Sequence, residues 1–401
     1  MKFTKTALAV AAIVGSVGAA AQTANVTLYG YINTSLESNR GSQGANTVGK
    51  TVTSSTLNRM TANSSRFGLR GREELGGGTY ALFQLENSFN SDDGALTSNP
   101  AASAAIPSGN GAAILWAREL WVGVGGGFGE VKIGYGLTPY DDVLGLAHQN
   151  IGSTGLQNRN AGLSGGVGFA GNSAGQLFTA YGRGGTAFSE SQGNFDARAA
   201  NAISYASPNL GGLTIRTMYS LIQEQSTTPR ARLWDTAVIY SNGPITAGAT
   251  YALHKDFGGL AGVITGKHDQ TAFRVYGRYN FGVARIDGSY DVSSYKLPTG
   301  TLKMKYFDTA VQVPFGASTA SLQYSQRDNG AAWAYTTPVG YAAPTVATLI
   351  SRWTIGGGKH IALVYDYAFS KRTQVYAYYS SMKNETGGKL NTPAIGIIHK
   401  F

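Results

Sequence analysis

The chain has 401 residues, no cysteine, a formal net charge of +10 and 13% charged residues, about half the share of roughly 25% typical of soluble domains. Without cysteine there is no disulfide framework, and past the N-terminal leader no apolar run reaches the roughly 18 residues of a membrane-spanning helix. The cations are spread along the whole chain without a concentrated patch, which argues against nucleic acid as a partner.

Residues 1–21 read as a leader. Lys2 and Lys5 precede the apolar run TALAVAAIVGSVGAAA, which ends in Ala19, Ala20 and Ala21. That order of charged, apolar and small residues is a secretory signal peptide, expected to be cleaved after Ala21. The mature segment is then 22–401, exported from the cytoplasm, with glycine (55) and tyrosine (23) unusually abundant in the whole chain.

From residue 22 on, alternating segments of about ten residues recur. The first five are 26–37, 64–75, 79–89, 114–124 and 129–137. A gap of about sixty residues, 138–197, follows. Then come 198–207, 213–221, 233–241, 245–253, 271–280, 283–293, 303–313 and 317–327. The last three are 359–367, 373–382 and 394–401, sixteen in all. Tight Gly-, Pro- and Asn-rich turns such as EELGGG, SPNLGG and NGP alternate with longer linkers rich in Ser, Gly, Asn and Thr. All eleven prolines fall in the proposed turns, loops or strand edges, where a missing N–H does least harm.

This pattern predicts an all-β chain, a transmembrane antiparallel barrel of sixteen strands. An array of β-sandwich domains is the alternative. It would not explain the alternation of short and long connections, nor a polar stripe running beside the apolar one.

The two faces sort by parity. Phe273, Val275 and Tyr279 oppose Arg274, Tyr276 and Arg278; Ile286, Tyr290 and Val292 oppose Arg285, Asp287 and Asp291. Phe67 and Leu69 oppose Arg66, Arg70 and Arg72. An arginine facing lipid at mid-depth costs about 2–4 kcal/mol, so these polar faces must line water. A sixteen-stranded barrel is too wide for its own side chains to fill. Residues 138–197 are the one insertion large enough to fold inward and narrow such a lumen.

Several stretches carry a resemblance. NVTLYGYI, SSRFGLRGREELGGGTYALFQLE, ARELWVGVGGGFGEVKIGYGLTPYDD, ANAISYASPNLGGLTIRTMYS, YAFSKRTQVYAYYS and the terminal HKF are similar to the hairpins of the general porins of Gram-negative outer membranes, above all their betaproteobacterial branch. The resemblance implies a homotrimer of water-filled channels in the cell outer membrane, surrounded by outer-membrane lipid. Small hydrophilic solutes would diffuse through, and the third long loop would fold into each barrel.

It also carries over three basic constriction residues, Arg66, Arg118 and Arg198, with Arg70 beside them, facing Asp141 and Asp142 at the start of the loop. Arg118 shares parity with Leu120 and Val122, which is at odds with that role. Arg72, Arg274, Arg278, Arg285 and Asp287 would line the pore further along. From Val143 to Ser189 the loop contains no Asp or Glu, while it carries His148, Arg159 and Arg183. Cations in a narrow constriction are poorly screened, so the expected pore prefers anions.

No cofactor and no metal site is expected. The five histidines are scattered, and SDDG (91–94) or Asp141 with Asp142 offers too few oxygens for Ca²⁺. The reading is of a channel, not an enzyme. A solute-specific uptake porin for an organic acid or a sugar is the alternative, a barrel enzyme or adhesin a more distant one.

The chain closes with AIGIIHKF, where Ile395, Ile397, His399 and Phe401 share one face. In a closed barrel this last strand pairs with the first and leaves nothing to fray. The resemblance further implies that Phe401 is the assembly signal read by the barrel-insertion machinery.

Overall fold

A computed structural model of the chain describes residues 25–42, 55–63, 65–89, 91, 115, 116, 118–141, 195, 198–221, 232–258, 267–297, 300–327, 358–384 and 389–401. The leader 1–21, Asp142 and most of the third loop lie outside these residues.

The first strand, β1 (Asn25–Ser42), is followed by β2 (Ser55–Ala62), β3 (Arg66–Gly76) and β4 (Thr79–Ser88). Next come β5 (Glu119–Gly126), β6 (Gly129–Leu137), β7 (Arg198–Ala206), β8 (Leu213–Leu221) and β9 (Arg232–Asn242). The chain continues through β10 (Ile245–Gly258), β11 (Lys267–Asn280), β12 (Arg285–Leu297), β13 (Gly300–Phe315) and β14 (Ser318–Arg327). It ends with β15 (Gly358–Ala368), β16 (Thr373–Asn384) and β17 (Lys389–Lys400).

From β3 onward every strand pairs antiparallel with the next, and β17 returns to β1 with Thr34 opposite Ile397 and Leu36 opposite Ile395. The sheet is closed. β2 and β3 are two lengths of one barrel strand, because β1 pairs with β3 through Tyr31↔Arg66 and with β2 through Thr34↔Ala62. The barrel therefore has sixteen strands.

The break between β2 and β3 interrupts the ladder opposite Asn33, and one side chain and one backbone N–H serve the two Asn33 backbone groups. The Ser65 hydroxyl oxygen accepts from the Asn33 N–H at 2.9 Å, and the Asn63 N–H donates to the Asn33 carbonyl at 2.9 Å. Tyr376 on β16 donates to Asn33 Oδ1 at 2.8 Å and accepts from Asn63 Nδ2 at 2.7 Å. The wall is thus sewn together across β1, the break and β16.

Parity holds as the sequence implies. Phe273, Val275 and Tyr279 are 43%, 39% and 42% exposed on the outer face, whereas Arg274 and Tyr276 are buried inside. On β17, Ile395, Ile397 and Phe401 point outward and Ile398 inward. Three details differ from the sequence reading. Strands on the long-linker side run further than the apolar alternation: β12 and β13 leave only two residues between them, and β16 and β17 only four. The alternation ends where the lipid ends, but ladder hydrogen bonding continues into water. For the same reason Pro393 lies within β17, opposite Tyr379 on β16. On its other side pairing with β1 is interrupted between Ala394 and Asn391, as expected of a residue with no N–H to donate. Finally, β5 begins only at Glu119, because Trp116 takes φ of 66° and turns the chain ahead of it.

The terminal residue closes the seam. Phe401 N–H donates to the Gly30 carbonyl at 3.1 Å, and Gly30 N–H donates to the Phe401 carbonyl at 3.2 Å. A Cβ at Gly30 would come within 2.8 Å of the Phe401 ring and collide with the Arg66 carbonyl. Replacing Gly30 by valine should therefore destabilise the barrel by about 1–3 kcal/mol, the usual cost of overpacking. The measurement is the temperature at which folded and unfolded bands interconvert in electrophoresis, and an unchanged temperature would refute the seam.

Candidate pore constriction

The inner wall where β3, β5 and β7 begin carries a compact charged cluster. Arg66 opens β3 and its guanidinium lies 4.7 Å above the Tyr31 ring, with Nε 3.8 Å from Glu86 on β4. Register explains the meeting: Arg66, Glu86 and Glu119 all take inward positions, with Glu86 directly opposite Glu119. Arg198, the first residue of β7, places Nε 3.7 Å from Glu119.

Arg118 joins this cluster despite its parity with the outward-facing Leu120 and Val122. It lies just ahead of β5, where strand parity does not yet bind it. Its side chain turns inward to give Nε–Glu86 Oε1 at 2.6 Å and Nη1 donating to Ser88 at 3.2 Å.

Each carboxylate is held by neutral donors as well. Tyr29 O–H donates to Glu86 at 3.0 Å; Trp121 Nε1–H and the Leu137 N–H donate to Glu119 at 3.0 and 3.2 Å. Buried ion pairs tolerate loss of a partner badly, at about 3–5 kcal/mol, so the network fixes its charges in place. The result is three arginines set against two glutamates. Glu86 and Glu119 were visible in the sequence as members of strands, yet nothing in their spacing distinguished them from other inward polar residues. The register against Arg66 and Arg198 is what does so.

Arg70 and Arg72 continue the basic face of β3 toward the short turn. Arg70 stands 5.1 Å over the Tyr29 ring, and Arg72 lies 3.5 Å over Tyr80 with Nε 2.6 Å from Glu74. Arg278, Arg285 and Asp287 are inward on β11 and β12, where Arg278 is opposite Asp287 in register and Arg285 lies 3.6 Å from it.

Arg274 does something else. It is 1% exposed, ion-paired with Asp291, and its guanidinium lies 4.1 Å over the Tyr140 ring while Nη1 donates to the Tyr140 carbonyl at 2.7 Å. Tyr140 in turn donates its hydroxyl to Asp291 at 2.8 Å and its N–H to Asp235 on β9 at 3.1 Å. Phe195, at the far end of the same connection, stacks on His254 of β10 at 4.3 Å. Thr138 Oγ1 donates to the Phe195 carbonyl at 3.3 Å, tying the two ends together. Both ends of the third loop are therefore seated on the inner face of β9–β12, several strands from where β6 releases the chain. Asp141 closes the helical turn there through its N–H to Thr138 at 3.1 Å. Asp142 and the body of the loop fall outside the described residues.

A family model described as Gram-negative porin matches residues 6–387. Outer membrane porin protein 32 of Delftia acidovorans is 28% identical over 98% of this chain and 93% of its own length. An outer membrane porin of Bordetella pertussis is 26% identical over 99% of this chain and all of its own length. Among solved structures, the anion-selective porin from Comamonas acidovorans superposes with a TM-score of 0.65 at 25% identity, covering 94% of this chain and all of that one.

The loop anchor makes its own prediction. Tyr140→Ala removes a buried ring, a hydroxyl bond to Asp291 and the cation–π partner of Arg274. It should lower stability by on the order of 3 kcal/mol and expose the loop base to protease. Unaltered cleavage kinetics would show that the anchor does not hold the loop.

Proposed function

The chain belongs to the Gram-negative porin family, and from that premise we propose that the cluster of Arg66, Arg118 and Arg198 with Glu86 and Glu119 is its selectivity filter, favouring anions. The protein is an outer-membrane channel for passive diffusion of small hydrophilic solutes and ions, not an enzyme. What carries the anion reading is the wall's pairing: three guanidiniums meet the carboxylates of Glu86 and Glu119, with Asp141 acting on Arg198 and Arg70 adding a further cation on β3, while Arg72 is paired with Glu74. The absence of Asp and Glu from 143–189 supports it, because that segment brings no opposing charge. The anion-selective porin from Comamonas acidovorans agrees with this reading. Inside a low-dielectric wall one surplus charge changes the local concentration of counter-ions severalfold.

A homotrimer is part of the same proposal. The outer faces of β1, β5 and β6 are almost purely aliphatic, with Val26, Leu28, Ile32, Leu120, Val122 and Ile133 each 44–61% exposed. A face of this kind suits packing against an identical barrel as well as it suits lipid. The insertion role of Phe401 is likewise proposed, supported by its place at the closing seam.

Two variants test the filter. Glu86→Gln leaves Arg66 and Arg118 without their carboxylate and should raise the anion-to-cation permeability ratio. Arg118→Gln should lower it, each by roughly two- to tenfold. Zero-current potentials across planar bilayers in a KCl gradient measure both. Cation selectivity in the unaltered protein would overturn the reading.

A further inference from the structure

Between the constriction and the short-turn mouth, the inner wall of β5–β8 is unusually bare. Beside Trp121, Glu130, Lys132, Arg216 and Met218, its inward positions include the small residues Gly123, Gly125, Gly134, Gly136, Ala202, Ser204 and Ala206. The bareness leaves a recess of about 320 Å³, within the range of roughly 300–1,000 Å³ of small-ligand sites. Leu137 and Pro139, at the base of the third loop, and Met218 are among its lining residues.

The polar groups around this recess are placed rather than scattered. Trp121 is pinned by its N–H to Glu119 at 3.0 Å and has the Lys132 ammonium 4.4 Å from its ring. Lys132 is 3.1 Å from Glu130, which also accepts from the Tyr80 hydroxyl at 3.0 Å. Arg216 stands on the opposite side, on β8. The lining carries two cations, Lys132 and Arg216, and two carboxylates, Glu119 and Glu130, and both carboxylates already accept hydrogen bonds from Trp121 and Tyr80.

We propose that this recess is a retention subsite for organic carboxylates with a flat apolar body, separate from the constriction. The carboxylate sits between Lys132 and Arg216, and the ring lies along Trp121, Ala202 and Met218. Small inorganic anions pass the recess without lodging, because they offer nothing to the apolar lining. The proposal rests on the channel reading and adds a solute class to it.

Benzoate is the probe, with acetate, benzyl alcohol and benzylammonium as controls, on the intact protein. Single-channel recordings in KCl should show benzoate-dependent interruptions of the current that the three controls do not produce at equal concentration. Tryptophan fluorescence should change with benzoate, and the change should disappear in Trp121→Phe. Lys132→Gln and Arg216→Gln should each shorten retention by about tenfold, the loss of one charge-assisted hydrogen bond. Ser204→Leu, which fills the recess and spares every charge, should abolish retention; folding of each variant is checked by heat-modifiable mobility. Retention that survives Ser204→Leu, or that acetate matches, would overturn the subsite. An anion-selective channel that ignores benzoate would sink the subsite alone, whereas cation selectivity in KCl would sink the channel's proposed preference.

Discussion

A strand in lipid has no water to satisfy its backbone, so every N–H and C=O must find another strand. That constraint explains the architecture from end to end. It requires closure, which the pairing of β1 with β17 supplies down to the terminal residue, where Phe401 and Gly30 exchange hydrogen bonds. It also explains the repair at residues 63–65, where Ser65 supplies through its side chain what the interrupted ladder withholds. Even Pro393 obeys it, lying where pairing with β1 lapses near the long-linker end.

Once the backbone is satisfied by closure, side chains are released from core building. Among the described residues most large apolar side chains are exposed on the outer face, and many of the buried ones are polar: Asn33, Glu86, Asp235, His254 and Asp308 are all nearly inaccessible. They are buried by one another across the inner wall and by the ends of the third loop. Tyr140 and Phe195 bring the apolar surface that a soluble core would otherwise provide, and Arg274 with Asp291 receives it.

Much of this was legible from the residues. Period-2 alternation located the strands because lipid and water impose opposite demands on alternate positions, and arginine at an inward position is decisive when the outward alternative is hydrocarbon. Arg66, Arg70 and Arg72 were readable for that reason. Two things were not. Arg118 shares its parity with outward residues, and only the late start of β5 after Trp116 frees it to turn inward. Glu86 and Glu119 lacked any local mark, since their importance comes from which residues the register sets opposite them. Pairing partners separated by 32 or more positions leave no trace in local periodicity. Arg274 was legible as inward, but its partner in the third loop was not, since a contact across 134 residues is not a matter of alternation.

Among the described residues, the carboxylates paired with Arg66, Arg118 and Arg198 ride on β4 and β5. In the proposed filter, mutually paired strands therefore carry the charges. The loop between 143 and 189 carries no carboxylate whose loss would disturb it. Its Gly, Ser, Asn and Gln are residues that can be exchanged, inserted or deleted at little electrostatic cost. A lineage built this way can vary that segment while the charges borne by the strands are inherited unchanged.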